Sequence, residues 1–215
     1  MANVLIDSLL KLLFPDRCIQ CKRMGELLCS TCCQNLKPYP FEPQSIAGLE
    51  AVHIAFVFEG VIRPAIHHLK YYKKRRIGQL LGDMLGDFCQ AEQLSADAII
   101  PVPLHHKRKQ ERGFNQSELL AEQIAKLNRI PLLLGGVERI KVTEQQAHLD
   151  AAARRRNMQG AFAWKSKQSA PKRILLIDDV LTTGATMAAC ADVLHQAGCQ
   201  QIRGVALARS RPGQS

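Results

Sequence analysis

The chain has 215 residues, 47% of them apolar, and 29 Lys and Arg against 19 Asp and Glu, for a formal net charge of +10. That length fits one medium domain or one domain with a small appendage, because single cores commonly run to ~100–200 residues; the apolar fraction excludes a disordered chain. No apolar run approaches the ~20 residues a membrane helix needs, which excludes a spanning segment.

The N-terminal stretch MANVLIDSLLKLLFPDR is the one place where a targeting signal would be sought. It has no basic n-region, and Asp7 and Lys11 interrupt its apolar run, so it reads as an amphipathic helix ending at Pro15. Without an export signal the thiols meet a reducing compartment, where they bind metal or stay free, and a cytoplasmic location is expected.

Two C-x-x-C pairs follow, Cys18-Ile-Gln-Cys21 and Cys29-Ser-Thr-Cys32, with Cys33 adjacent. Each pair can put two thiolates on one tetrahedral ion through a tight turn, and zinc accepts four thiolates at ~2.3 Å without a demanding electronic geometry. A redox C-x-x-C would stand once, near a βαβ pattern, so structural zinc on Cys18, Cys21, Cys29 and Cys32 is the favoured reading. Cys33 is a spare thiol, or a replacement for Cys32. Cys89, Cys190 and Cys199 are isolated within apolar patterns and are expected to be small core residues.

Residues 36–43 hold three prolines and read as an extended linker. A strand is predicted from Val52 to Phe58, then a helix from the spacing of Ile77, Leu80, Leu81, Met84, Leu85 and Phe88. Ala98-Ile-Ile-Pro-Val-Pro is a short buried strand stopped by prolines. Asn115, with Glu118 three residues on, caps a helix carrying Leu119, Leu120, Ile124 and Leu127. A strand is expected near residues 132–134, and a polar stretch without periodicity covers 139–160. The chain closes with a strand from Arg173 to Asp178, a helix around 187–197 stopped by Gly198, and a strand around 202–208. Strands alternating with helices predict a parallel α/β sheet.

The most informative segment joins the last helix to the strand before it. Ile174-Leu-Leu-Ile ends at Asp178 and Asp179, and Val180 and Leu181 lead to Thr182, Thr183, Gly184, Ala185 and Thr186. Ligands of open α/β sheets bind at the carboxyl ends of strands. Gly184 lets a phosphate approach backbone N–H groups, the threonine hydroxyls add donors, and the next helix turns its positive end to the same anion. Two carboxylates would repel that phosphate, so their partners are sugar hydroxyls or a Mg²⁺ that bridges to a pyrophosphate. A Walker-B strand also ends in acids, but no G-x-x-x-x-G-K-[ST] accompanies this one. A receiver-type acidic pair would be followed by a longer βα succession than one helix and one strand. The segment asks for a ligand with a terminal phosphate, a ribose and a second anionic group.

These residues resemble the phosphoribosyl-diphosphate (PRPP) motif of type I phosphoribosyltransferases. The two C-x-x-C pairs, Ile100-Pro-Val-Pro-Leu104, Arg112-Gly-Phe-Asn-Gln116, Thr143-x-x-Gln146, Arg154-x-x-Asn157 and Gly160-Ala-Phe162 precede it in order. The combination resembles the ComF family of competence-associated, phosphoribosyltransferase-like proteins. The resemblance implies a type I phosphoribosyltransferase fold, a parallel sheet with flanking helices over residues 46–215, behind a small zinc-binding unit over 1–45. It implies Asp178 and Asp179 on ribose hydroxyls with Mg²⁺ entering with PRPP, residues 182–186 on the 5′-phosphate, and the 101–115 loop at the pyrophosphate with Arg108 and Arg112 as anion partners. The 139–160 stretch corresponds to a mobile lid, in keeping with how uncommon long structureless loops are.

Basic residues cluster at 70–76, 105–112 and 154–156. They read either as solvated faces serving an anionic ligand or as a track for single-stranded DNA, on which Tyr71 and Tyr72 could stack bases. The 70–76 run is expected to lie outside the crevice of the threonine loop, and His67 and His68 on a helix face. Two functions stay open: transfer of a phosphoribosyl group to an unknown acceptor, or a non-catalytic, DNA-binding accessory role in natural transformation that keeps PRPP only as a ligand, or keeps only the fold, alongside other DNA-uptake proteins.

Overall fold

Four apolar runs become neighbouring strands because each can bury side chains on both of its faces. A computed structural model describes residues 15–71, 75–141 and 160–211. The N-terminal helix expected before Pro15, most of the lid stretch and Tyr72 lie outside the described residues. In chain order the elements are α1 (Ser30–Gln34), β1 (Ala51–Val57), α2 (Ile62–Tyr71), α3 (Arg75–Ala91), β2 (Ala98–Pro101), α4 (His106–Arg112) and α5 (Gln116–Asn128). Then come β3 (Val137–Arg139), β4 (Phe162–Trp164), β5 (Arg173–Leu181), α6 (Ala185–Gln196) and β6 (Gln201–Arg209).

The main sheet has the order β1-β6-β5-β2 with every pairing parallel. Alternation along β5 sends Leu175 and Ile177 to one face, where they meet Ile66, Leu69, Leu81, Leu85, Leu120 and Ile124 of α2, α3 and α5. Ile174 and Leu176 point to the other face, against Met187, Cys190 and Leu194 of α6. Cys89, Cys190 and Cys199 are buried free thiols, in keeping with the core role expected of them.

Both sheet edges are covered. The proline-rich linker is extended, but it is bonded to the outer edge of β1: the Val57 N–H donates to Lys37 O at 2.9 Å, the Tyr39 N–H to Ala55 O at 3.0 Å, and Gln44 and Val52 exchange bonds at 2.8 and 2.9 Å. Prolines suit such a segment because it donates to the strand at alternate residues only. At the opposite edge the strand expected near 132–134 shrinks to one parallel bridge between Leu132 and Ile99. Pro131 lacks an N–H and Gly135 takes a φ of +72°, so the pairing cannot lengthen.

β2 and β5 are neighbours, yet the helices that follow them go to opposite faces, α5 to one and α6 to the other. Chains that diverge this way leave a crevice at the carboxyl ends of the two strands. β3 and β4 pair antiparallel, with Val137 opposite Trp164 and Arg139 opposite Phe162, so the two ends of the lid stretch are held together.

Helix α3 touches three partners. Ile77, Leu81 and Leu85 enter the main core, while Leu80 and Met84 pack on the cysteine knuckle beside Leu28 and Val61. Gly78, Gly82 and Gly86, spaced four apart, form the third face and let α5 approach closely. A Cβ at Gly82 would stand 2.8 Å from Gln123 Cβ and 3.3 Å from the Leu119 carbonyl oxygen.

That contact sets the sign of a substitution. Gly82→Ala would gain ~1 kcal/mol of helix propensity, but overpacking typically costs ~1–3 kcal/mol, and neither a Cβ nor a backbone oxygen can swing away. Gly82→Val should therefore lower the denaturation midpoint more than Gly82→Ala, and neither should exceed wild type. A stabilised Gly82→Ala would show that α3 and α5 are not in close contact.

Candidate functional site

Strand β5 runs three residues past its expected end at Asp178, so Asp179 also lies within the strand. Asp178 stays in register with Ala206 of β6, which fixes the strand near the end where both acids stand. A bend over 182–184 then opens α6. Gly184 is its N-cap at φ +77°, and Thr183 Oγ1 accepts from the Ala185 N–H at 3.4 Å. The space on the Cβ side of Gly184 is filled by Ile46, whose Cδ1 would come within 2.4 Å of an added Cβ. Here glycine answers a left-handed backbone and an apolar cover, and its Cβ side is not the open approach expected for a phosphate. Thr182 is exposed, and Thr183 and Thr186 are half-buried.

The Arg112-Gly-Phe-Asn-Gln motif supports this crevice. Gly113 closes α4 in the left-handed region at φ +81°, and Phe114 is buried. Asn115 caps α5 by accepting from the Ser117 N–H at 3.1 Å, while its Nδ2 donates to Val102 O at 2.9 Å. The Val102 N–H donates to Ile177 O at 2.8 Å, and this ties the loop after β2 to β5. Ser117 then donates its hydroxyl to Asp178 Oδ1 at 3.1 Å. The segment expected to be a loop from 101 to 115 thus contains a two-turn helix, α4, capped by His105, whose Nδ1 accepts from the Lys107 N–H at 3.3 Å.

Basic side chains reach the same place from two directions. Lys70, in the last turn of α2, sets its Nζ 2.7 Å from Asp179 Oδ2, with side-chain exposures of 24% and 12%. The 70–76 run is therefore not wholly outside the crevice, because the last turn of α2 brings Lys70 to the end of β5. Arg112 lies over the ring of Tyr71 at 5.8 Å, and Arg75 over Phe114 at 5.8 Å. His67 faces Tyr71 with ring centres 4.7 Å apart, as a residue of a helix face. From the other side, burial and then the neighbouring Arg108 hold the Arg139 guanidinium below its usual pKa range, with Asp178 acting in the opposite sense. Burial, and then the charges of His106, Arg139, Lys107 and Arg108, lower the pKa of His105.

Of the expected site residues, the fold brings Asp178, Asp179 and the 182–186 loop to one crevice with Arg108 near its Arg139 side, whereas Arg112 rests on Tyr71. Lys70, Ser117 and Arg139 were missed. Ser117 directly follows a motif already singled out, and Lys70 stands one residue after the buried Leu69 on an amphipathic helix. Beyond β2, a cleft of about 470 Å³ is lined by Pro103, Leu104, Lys109, Glu118, Leu134 and Ile140 among others. Its Leu134 and Ile140 are 49% and 51% exposed.

The knuckle gathers Cys18, Cys21, Cys29 and Cys32, with all four sulfurs within 4.8 Å of one another. Cys21 and Cys29 sulfurs are 3.6 Å apart, near the ~3.8 Å edge of a tetrahedron with ~2.3 Å metal–sulfur bonds. Burial acting alone would raise the pKa of Cys18, but the N–H groups of Cys29, Cys21 and Gln20 outweigh it and bring the thiol down to about 6. Cys32 is pushed up to about 12 by burial and by the other three sulfurs. A cation would relieve that crowding of thiolates, so these residues fit a metal ion such as zinc. Cys33 stands outside the group, 3.9 Å from Leu28 O.

With that geometry in view, residues 116–215 match the phosphoribosyl transferase domain family. Competence protein F of Haemophilus influenzae is 32% identical, across 92% of this chain and 98% of its own length. The chain belongs to the ComF family. Other similar proteins are DNA utilization protein YhgH of Escherichia coli K12, 30% identical over 69% of this chain and 67% of that protein, and Competence protein ComFC of Bacillus subtilis, 33% identical over 46% and 39%. The matched domain starts at α5, so in this ComF-family chain β1 and β2 complete a sheet whose centre, β5 and β6, lies in the matched part. The architecture is that of a phosphoribosyltransferase domain with a four-cysteine knuckle at its N-terminal side. Among the described residues no helix is long and apolar enough to cross a membrane.

The Asp178 carboxyl is pushed up to about 7 by burial and then by the Asp179 charge, against the Asp179 N–H, Lys70 and Ser117. An acid that holds its proton more tightly when folded takes one up on folding. Stability therefore falls as pH rises from the ordinary value of 3.8 towards about 7, and then levels. Asp178→Asn removes that dependence, so thermal melts should show the variant gaining on wild type across this window. Parallel profiles would show that Asp178 titrates normally.

Proposed function

We propose that this chain is a PRPP-binding, phosphoribosyltransferase-like protein of DNA uptake that transfers a phosphoribosyl group to an acceptor not yet named. One observation carries the reading: two consecutive carboxylates near the end of β5 lead straight into a threonine–glycine bend at the N-terminus of α6, at the point where the helices diverge. Asp178 and Asp179 would meet the ribose hydroxyls. The backbone of residues 180–186 and the hydroxyls of Thr182, Thr183 and Thr186 would hold the 5′-phosphate, with Arg108 and Arg112 towards the pyrophosphate. Names of the related proteins, Competence protein F and DNA utilization protein YhgH, support the link to DNA uptake and natural transformation.

In this reaction class pyrophosphate leaves the anomeric carbon as a nitrogen nucleophile attacks, through an oxocarbenium-like sugar. No covalent nucleophile is needed. The carboxylates at the end of β5 would face the developing sugar cation, and basic groups would face the leaving diphosphate. Mg²⁺ entering with PRPP would neutralise diphosphate charge. The 139–160 stretch would act as a lid excluding water, its ends joined by β3 and β4. The knuckle ion would be a structural zinc, the division into 1–45 and 46–215 would separate metal site from nucleotide site, and the location would be the cytoplasm.

Isothermal titration with PRPP, with and without Mg²⁺, tests this reading, followed by an assay for pyrophosphate release across candidate bases. Asp178→Asn with Asp179→Asn should weaken PRPP binding at least ~10-fold, about 1.4 kcal/mol, while about one zinc per chain is retained. Wild-type affinity in the double variant would reject the site.

A second reading, a non-catalytic accessory that binds single-stranded DNA, is favoured by Tyr71, which is 64% exposed and backed by Arg112 at the crevice mouth. Stacking on such a ring is worth ~1–3 kcal/mol per base, and each neutralised phosphate contributes about −0.7 to the salt slope. Under this reading Tyr71→Ala should weaken binding to a short single strand by that amount, and affinity should fall steeply with salt. A flat salt dependence would remove the DNA track.

A further inference from the structure

Two adjacent carboxylates at the mouth of a crevice are the usual invitation to a divalent cation, but here the invitation is already answered. Asp179 Oδ2 has the Lys70 ammonium at 2.7 Å. Asp178 Oδ1 accepts from both the Ser117 hydroxyl at 3.1 Å and the Asp179 N–H at 2.8 Å. Mg²⁺ binds oxygen at ~2.0–2.1 Å and demands near-octahedral room. An ion on Asp179 Oδ2 would stand within ~5 Å of the ammonium, in a partly desolvated site where like charges are weakly screened. Among the described residues, the only group of three or more metal-type ligands lies in the cysteine knuckle.

We propose that Lys70 is the resident counter-ion of the acid pair and takes the place that a protein-bound divalent cation would otherwise occupy there. Lys70 is fixed for this by position. It stands in the last turn of α2, where the helix favours a cation, and its ammonium reaches Asp179 near the end of β5. An ammonium has three N–H donors and Asp179 occupies one side of it, so donor capacity is left for an oxygen-rich ligand. The pair Asp179–Lys70 thus presents an acceptor and a donor side by side, suited to a ligand's hydroxyl and its neighbouring phosphate oxygen. Any divalent ion then arrives on the ligand and not on the acids.

The inference deepens the reading of this crevice as a PRPP site, and its test contains no PRPP, so failure of one is distinguishable from failure of the other. Mn²⁺, standing in for Mg²⁺, is titrated into the zinc-loaded full chain, and free Mn²⁺ is read by electron paramagnetic resonance. Wild type should show no binding that depends on Asp179. Lys70→Met, which keeps the length of the side chain, should bind Mn²⁺ at least ~10-fold more tightly, and adding Asp179→Asn should abolish the gain. Lys70→Gln is the second neutral variant should the first not fold, and Lys70→Arg should behave as wild type. Mn²⁺ binding in wild type that vanishes in Asp179→Asn, or a folded neutral variant that binds no better than wild type, overturns the proposal.

Discussion

The divergence of the chain after β2 and β5 is the constraint from which the site follows. Two parallel neighbours end side by side, one feeding a helix on the upper face and the other a helix on the lower face, so no backbone closes the gap between them. The loops flanking that gap must satisfy their own polar groups. Val102 does so on Ile177, Asn115 does so on Val102 and Ser117, and Ser117 reaches Asp178. This short relay transmits the position of one strand end to the other, and buried polar groups are held most rigidly when every member is satisfied. The Arg-Gly-Phe-Asn-Gln segment is thus a splint for the acid pair, whatever further contacts its arginine makes.

Charge in this molecule is arranged locally. A net charge of +10 is an excess that ion pairs leave untouched, yet several basic side chains are engaged one by one: Arg76 with Asp16, Lys109 with Glu118, Arg173 with Asp97, Arg203 with Glu50 and Lys70 with Asp179. Most of these pairs are exposed and contribute little to stability. The Lys70–Asp179 pair is different because both partners are largely withdrawn from water, where a lost partner leaves a costly bare charge. Arg75 and Arg112 are spread over aromatic rings, which ties the start of α3 to Phe114 and the end of α2 to α4.

The cysteine knuckle is coupled to this site through helix α3. Leu80 and Met84 of that helix join Cys18, Cys29 and Cys32 in one apolar cluster, and Ile19 enters the main core. A segment this small cannot bury enough surface to stand alone, so the flank of α3 holds it, and an ion on the four cysteines would add to that hold. The glycine stripe that lets α5 lie close to α3 therefore serves two purposes. It packs the sheet's upper face, and it keeps the helix carrying Ser117 in fixed relation to the helix that supports the knuckle.

By itself the sequence determined whatever depends on residues close in the chain. Apolar runs marked β1, β2, β5 and β6, helical spacing marked α3, Asn115 marked the start of α5, and the order of acids, threonines and glycine marked the crevice proposed for a phosphate and a sugar. The two C-x-x-C pairs marked the four-cysteine cluster for the same reason, since each pair is joined by one turn. Tertiary structure alone decided what depends on residues far apart. Lys70 meets Asp179 across more than a hundred residues, Ile46 covers Gly184, and Arg108 comes near Arg139, because sheet order and helix crossings place them there. Edge pairing also lay beyond local pattern: the proline-rich linker became a cover for β1 and the strand near 132–134 dwindled to one bridge, since a strand's length is set by the partner it finds.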